Sequence, residues 1–148
     1  MKNLFNEIHL EEMKARVEKL DSESVARWGK FSVQRMVCHL LDNLEYALGI
    51  TEGKTEAAAG PPMFIRHLIR LYIPFPKGKI RTSPGMLKRQ PGEWEKDKRG
   101  VIELLDQFLE NRDKEPWPIH PFFGRLSGPA WSRLIWRHFN HHLSQFGV

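Results

Sequence analysis

The side chains best suited to chemistry in this sequence are imidazoles. Three of the seven histidines fall in one run, Trp136-Arg137-His138-Phe139-Asn140-His141-His142-Leu143-Ser144-Gln145. His138 and His142 are four residues apart, which on a helix puts their side chains about 5–6 Å apart on one face. Two imidazoles at that spacing on a rigid element can clamp one metal ion. At about 100° per residue, both lie inside the apolar arc of Trp131, Leu134, Ile135, Phe139, Leu143 and Phe146. His141 falls outside its edge. Two polar groups on a buried face need partners or they cost stability. A shared metal would satisfy both, and so would a carbonyl or carboxylate for each. A pair also lacks the third protein ligand expected of an open catalytic site.

His39, in Val37-Cys38-His39-Leu40-Leu41-Asp42, is the best third candidate. It sits about 120° from the centre of its helix's apolar face. That shoulder suits a cleft between helices, but taken alone His39 reads as solvent-exposed rather than ligating. Cys38 is turned about 100° from it and reads as a small buried thiol. His120, just before Pro121, reads as a turn-fixing residue or one near a site mouth. His67 and His9 read as polar-face and helix-start residues.

The elements that must position these residues are helical by period, with no clear alternation of apolar and polar residues. A first helix is expected over about His9–Leu20. A second runs over Val33–Leu48, capped by Ser32 and stopped by Gly49. Pro61 and Pro62 start a shorter third helix, Met63–Ile73, which Pro74 and Pro76 end. Lys77–Gly92 reads as a long basic loop. A fourth helix is expected over Glu93–Leu109, and a fifth from a Ser127 cap to about Phe146. The fold class expected is all-α: one domain over residues 1–148, an antiparallel four-helix bundle with an extra short helix and long loops.

Composition excludes several classes. The chain is 148 residues long, 41% hydrophobic and 28% charged, which excludes disorder as the dominant state. One cysteine, Cys38, excludes an internal disulfide, a four-cysteine zinc site and an iron–sulfur cluster. The start has no signal-peptide core, and the apolar stretch Pro61–Pro76 holds Arg66, His67 and Arg70. No membrane span is expected, and the compartment expected is the cytoplasm. The net charge of +5 is concentrated: ten Lys/Arg stand against three Asp/Glu between Arg66 and Arg99. A nucleic-acid role ranks low, because no helix is basic along one face. Gly49 to Thr55 imitates a phosphate loop but has the wrong glycine spacing and follows a helix.

Two segments flank this pattern: Trp28-Gly29-Lys30-Phe31-Ser32-Val33-Gln34-Arg35-Met36-Val37-Cys38-His39, and His120-Pro121-Phe122-Phe123-Gly124-Arg125-Leu126-Ser127 leading to Trp131 and His138 through Gly147. With them the chain resembles the DinB/YfiT-like superfamily of metal-dependent bundle proteins, in a branch known only as a domain of unknown function. His39, His138, His142 and Gln145 match the superfamily pattern. The resemblance implies a four-helix bundle in which His39, His138 and His142 hold one divalent ion (zinc, nickel or iron), and a homodimer. It also implies a small-molecule substrate, with some members using a low-molecular-weight thiol for transfer and others grouped as hydrolases.

Such an ion would lower the pKa of bound water to about 7 or hold a thiol as thiolate. Asp42, Asn43, Glu45 and Gln145 are within sequence reach as acceptors for the second ring nitrogens. Lys77, Lys79, Arg81, Lys88 and Arg89 are candidates for binding an acidic substrate. The competing reading is a non-catalytic bundle with a structural or binding role.

Overall fold

The computed structural model describes residues 1–51, Pro62, Arg66 and 89–148. Among the described residues four helices carry the fold: α1 (Glu7–Glu18), α2 (Val33–Leu48), α3 (Trp94–Glu110) and α4 (Gly128–Gln145). Asn6 caps α1 by accepting from the His9 N–H, so the helix starts two residues before the expected His9. Ser32 caps α2 through the Arg35 N–H, and Gly49 ends it at φ +71°, a conformation glycine adopts without Cβ strain. Ser127 occupies the N-cap position of α4, but its hydroxyl makes no capping bond. Pro129 in the first turn removes one of the two N–H groups such a cap uses. The Ala130 N–H goes instead to the Ser127 carbonyl. Of the helix expected over 63–73, only Arg66 is described; it is helical, its N–H bonding the Pro62 carbonyl.

The helices pack in the cyclic order α1, α3, α2, α4. Side-chain contacts give their directions. Phe5, just before α1, bonds Ser132 early in α4 through its N–H, while Arg16 late in α1 reaches Asn140 and Ser144 late in α4. These two helices are parallel. Phe5 stacks on Phe108 late in α3, and Lys98 early in α3 reaches the Leu20 carbonyl beyond the end of α1, so α1 and α3 are antiparallel. Gly100 lies against Leu41, and Lys114 bonds the Leu48 carbonyl, so α2 and α3 run the same way. His39 meets His138 while Tyr46 meets Trp131, so α2 and α4 are antiparallel. Two neighbouring pairs, α1–α4 and α2–α3, are therefore parallel, which corrects the antiparallel arrangement expected; α2 and α3 are far enough apart in sequence for packing to choose their direction.

The core is the apolar stripe of each helix. Leu10, Met13 and Val17 meet Met36, Leu40 and Leu44, then Val101, Leu105 and Phe108, then Trp131, Phe139 and Leu143. Each such side chain contributes roughly 1.5–3 kcal/mol when buried. Between α3 and α4 the chain forms a small antiparallel pair absent from the expectation, β1 (Ile119–His120) with β2 (Gly124–Arg125), in which Ile119 faces Arg125 and His120 faces Gly124. Two-residue strands are too short to show an alternating pattern. The hairpin is pinned to the bundle by Tyr46 Oη donating to the Ile119 carbonyl (2.5 Å) and Trp131 Nε1 donating to the Pro118 carbonyl (3.1 Å). Among the described residues no helix is long and apolar enough to cross a membrane.

Candidate metal centre

Because α2 and α4 are antiparallel neighbours, His39 faces His138 and His142 across their seam. The His39 and His138 Nε2 atoms are 3.0 Å apart. The ring centroids are 4.8 Å (His39–His138), 4.9 Å (His39–His142) and 4.7 Å (His138–His142) apart, with every pair of planes within about 13° of perpendicular. One nitrogen from each ring lies within 4.8 Å of the other two, a set that could hold a metal ion. Protein nitrogens sit about 2.0–2.1 Å from zinc, and small side-chain rotations close the remaining spread.

His39 is 4% exposed and His142 8%, while His138 is half-buried. The burial of His39 corrects the solvent-exposed alternative left by its helical wheel. The wheel weighs only the residues of α2, whereas α4 covers that shoulder with its own imidazoles. His141 is half-buried, edge-on to Trp28 at 6.1 Å and 5.1 Å from the His142 ring. It stands beside the cluster and outside the group that could hold an ion.

The electrostatics keep His138 and His142 neutral. Burial pushes His142 down to about 3, and a charge on His39 would push it further; the bond to Gln145 opposes this. Burial, then repulsion from His142 and His39, holds His138 well below the ordinary imidazole value. Neutral imidazole is the form that ligates.

A second layer orients the first. Gln145 Oε1 lies 3.1 Å from His142 Nδ1, and Gln145 Nε2 donates to the Trp28 carbonyl at 2.6 Å. The carbonyl partner fixes which end of the amide is nitrogen. Its oxygen therefore accepts from an Nδ1–H, leaving the His142 Nε2 lone pair for an ion. Gly29 makes this latch possible. At φ +82°, a Cβ there would stand 2.5 Å from Gln145 Nε2. The Asn43 amide nitrogen donates to the His39 carbonyl at 2.7 Å. It is 3.2 and 3.4 Å from the two His39 ring nitrogens. Near-equal distances place it over the ring face, because in the ring plane it would collide with Cε1. Asn43 therefore packs on His39 without selecting its tautomer.

Asp42 and Glu45 do not serve the histidines. Both are engaged by Arg89, Asp42 at 3.5 Å and Glu45 more closely. That also removes Arg89 from the set expected to bind an acidic substrate; Lys77, Lys79, Arg81 and Lys88 lie outside the described residues, as does His67. Cys38 is buried, as expected, and burial raises its thiol pKa. Phe31 is a wall of the site that the sequence reading missed, stacked on His142 (5.8 Å) and tilted on His39 (5.6 Å). It lies in the irregular segment before α2, where no periodicity assigns a face. The Trp28–Gly29 latch was missed for the same reason.

The profile of DUF1569, a family of proteins of unknown function, matches residues 5–147. The chain belongs to the DUF1569 family. The stretch shared with DUF1569 takes in all three clustered histidines, Gln145 and the Trp28–Gly29 latch, so the whole site lies inside what the family profile describes. No curated protein and no solved structure matches the chain.

Proposed function

We propose that this DUF1569 protein is a metal-dependent enzyme of the DinB/YfiT-like kind, with His39, His138 and His142 as ligands of one divalent ion, zinc, nickel or iron. The reaction class is thiol-dependent group transfer or hydrolysis on a small molecule. The observation that carries the reading is the convergence of three imidazoles from two helices, one with its second nitrogen already held by Gln145. Three neutral ligands leave an ion its full charge and open positions, which supplies Lewis acidity toward a bound water or thiol.

The chain's own residues do the rest. Gln145 orients His142, the Trp28 carbonyl and Gly29 orient Gln145, and Phe31 excludes water from one side of the rings. Thiol transfer is favoured over hydrolysis by one feature: the carboxylates nearest His39 in sequence, Asp42 and Glu45, are tied to Arg89 rather than placed as a base. Activation of a thiol by the ion itself requires no separate base.

The test is elemental analysis of purified tag-free protein beside a His39→Ala/His138→Ala/His142→Ala variant. About one zinc, nickel or iron per chain, lost in the variant, is the expected result. A folded protein that takes up no metal even on reconstitution refutes the proposal and leaves a non-catalytic bundle.

A further inference from the structure

His120 opens the hairpin that sits on the Tyr46–Trp131 level of the α2–α4 seam. Its Nδ1 accepts two backbone N–H groups, from Phe122 at 3.0 Å and Phe123 at 3.1 Å. Two donors aimed at one nitrogen leave no room for a proton there, so the proton of the neutral ring resides on Nε2. The ring is wedged between Phe123 (4.8 Å) and Trp131 (5.2 Å), which fixes its plane.

The turn itself needs only the acceptor at Nδ1, a role Asn or Asp performs in ordinary turns. The rest of the imidazole projects the opposite edge away from the hairpin backbone. Among the described residues Nε2–H has no acceptor. Trp131, on which the ring packs, lies two helical turns before His138 on α4, about 10 Å along the axis. Arg66 bonds the Phe122 carbonyl at 2.8 Å and lies over the Phe122 ring, which brings a guanidinium to the same hairpin.

We propose that His120 is a substrate-positioning residue, its Nε2–H donating a hydrogen bond to a carboxylate oxygen of the small thiol whose sulfur is held at the three-histidine centre. This rests on the metal–thiol reading above. The ring is suited to the task because it presents a fixed donor that does not change charge near neutral pH.

The test uses the full-length cobalt-loaded protein and a series of mercaptoalkanoates with two to six methylenes, with unbranched alkanethiols as controls. The thiolate-to-cobalt absorption band reports binding. In the wild type, one chain length is expected to bind more tightly than its alkanethiol counterpart. His120→Asn keeps an acceptor for the two backbone N–H groups and removes the Nε2–H. It is expected to weaken that mercaptoalkanoate about tenfold to hundredfold, while alkanethiol and cobalt binding stay unchanged. Equal loss for both thiol types, or no loss for either, overturns the proposal and leaves His120 a turn residue. Absence of a thiolate band with every thiol, in protein that binds cobalt, overturns the thiol reading itself and this inference with it. Should His120→Asn fail to fold, nitrogen-15 NMR of wild-type His120 decides: the Nε2 resonance must move with the mercaptoalkanoate and stay put with the alkanethiol, and the reverse sinks the proposal.

Discussion

Replacing Gly29 by Ala tests the claim that this glycine exists to let Gln145 hold His142. Two penalties follow from the structure. The backbone is at φ +82°, where an L-residue costs about 1–2 kcal/mol. The new Cβ would also lie 2.5 Å from Gln145 Nε2 and must displace it. Gln145 is 4% exposed and bonded at both ends, to the Trp28 carbonyl and to His142. Losing two such bonds costs about 1 kcal/mol each. The total expected for Gly29→Ala is therefore about 3–4 kcal/mol. In a Gln145→Ala background the obstacle and both bonds are already gone, so the same change should cost only the backbone part, about 1–2 kcal/mol. The coupling between the two sites is then about 2 kcal/mol. Urea unfolding of metal-free wild type, both single variants and the double variant measures it. Coupling below about 0.5 kcal/mol, the level at which sites count as independent, would refute the latch. Metal affinity gives a second readout, with Gly29→Ala expected to weaken it about tenfold to hundredfold, as loss of outer-layer partners does.

Acid should destabilise the metal-free protein in a defined window. His120 titrates near 4 in the folded state and 6.5 as its ordinary value, because burial opposes its charge. Above 6.5 both states are neutral and the full stability is present. Below 6.5 the unfolded chain takes a proton that the folded chain refuses, so stability falls until the pH reaches about 4. One such group removes up to about 3 kcal/mol over that window. His138 and His142, lowered in the same direction, steepen the loss. Urea midpoints between pH 7.5 and 4.5 should drop steeply for wild type and less steeply for His120→Asn; parallel curves would contradict the assignment. Arg16→Ala serves as a contrast. Its guanidinium ties α1 to Asn140, Ser144 and the Val148 carbonyl at 2.8–3.1 Å. Its loss should cost about 1–3 kcal/mol in thermal or urea unfolding while leaving metal content at the wild-type level, since it touches none of the three histidines.

Part of this architecture follows from local physics alone. The period of apolar residues, Ser32 and Gly49 define α2 to the residue, and the i, i+4 spacing of His138 and His142 sets two imidazoles side by side whatever the rest of the chain does. The apolar arc of α4 distinguishes His142 from His141, because one helix's geometry suffices to say which face each shares. Tertiary structure decided what no single element contains. The burial of His39 depends on α4 lying against its shoulder. The partner of Gln145 depends on an irregular loop that passes beneath it. Arg89 takes Asp42 and Glu45, which by sequence distance alone were as eligible as Gln145 to hold a histidine. The same divide holds for topology. Helix periodicity gives the faces of the described helices, but the direction of α3 beside α2 is fixed only by which ends meet across the core. A long connection permits either direction, so only packing chooses between them.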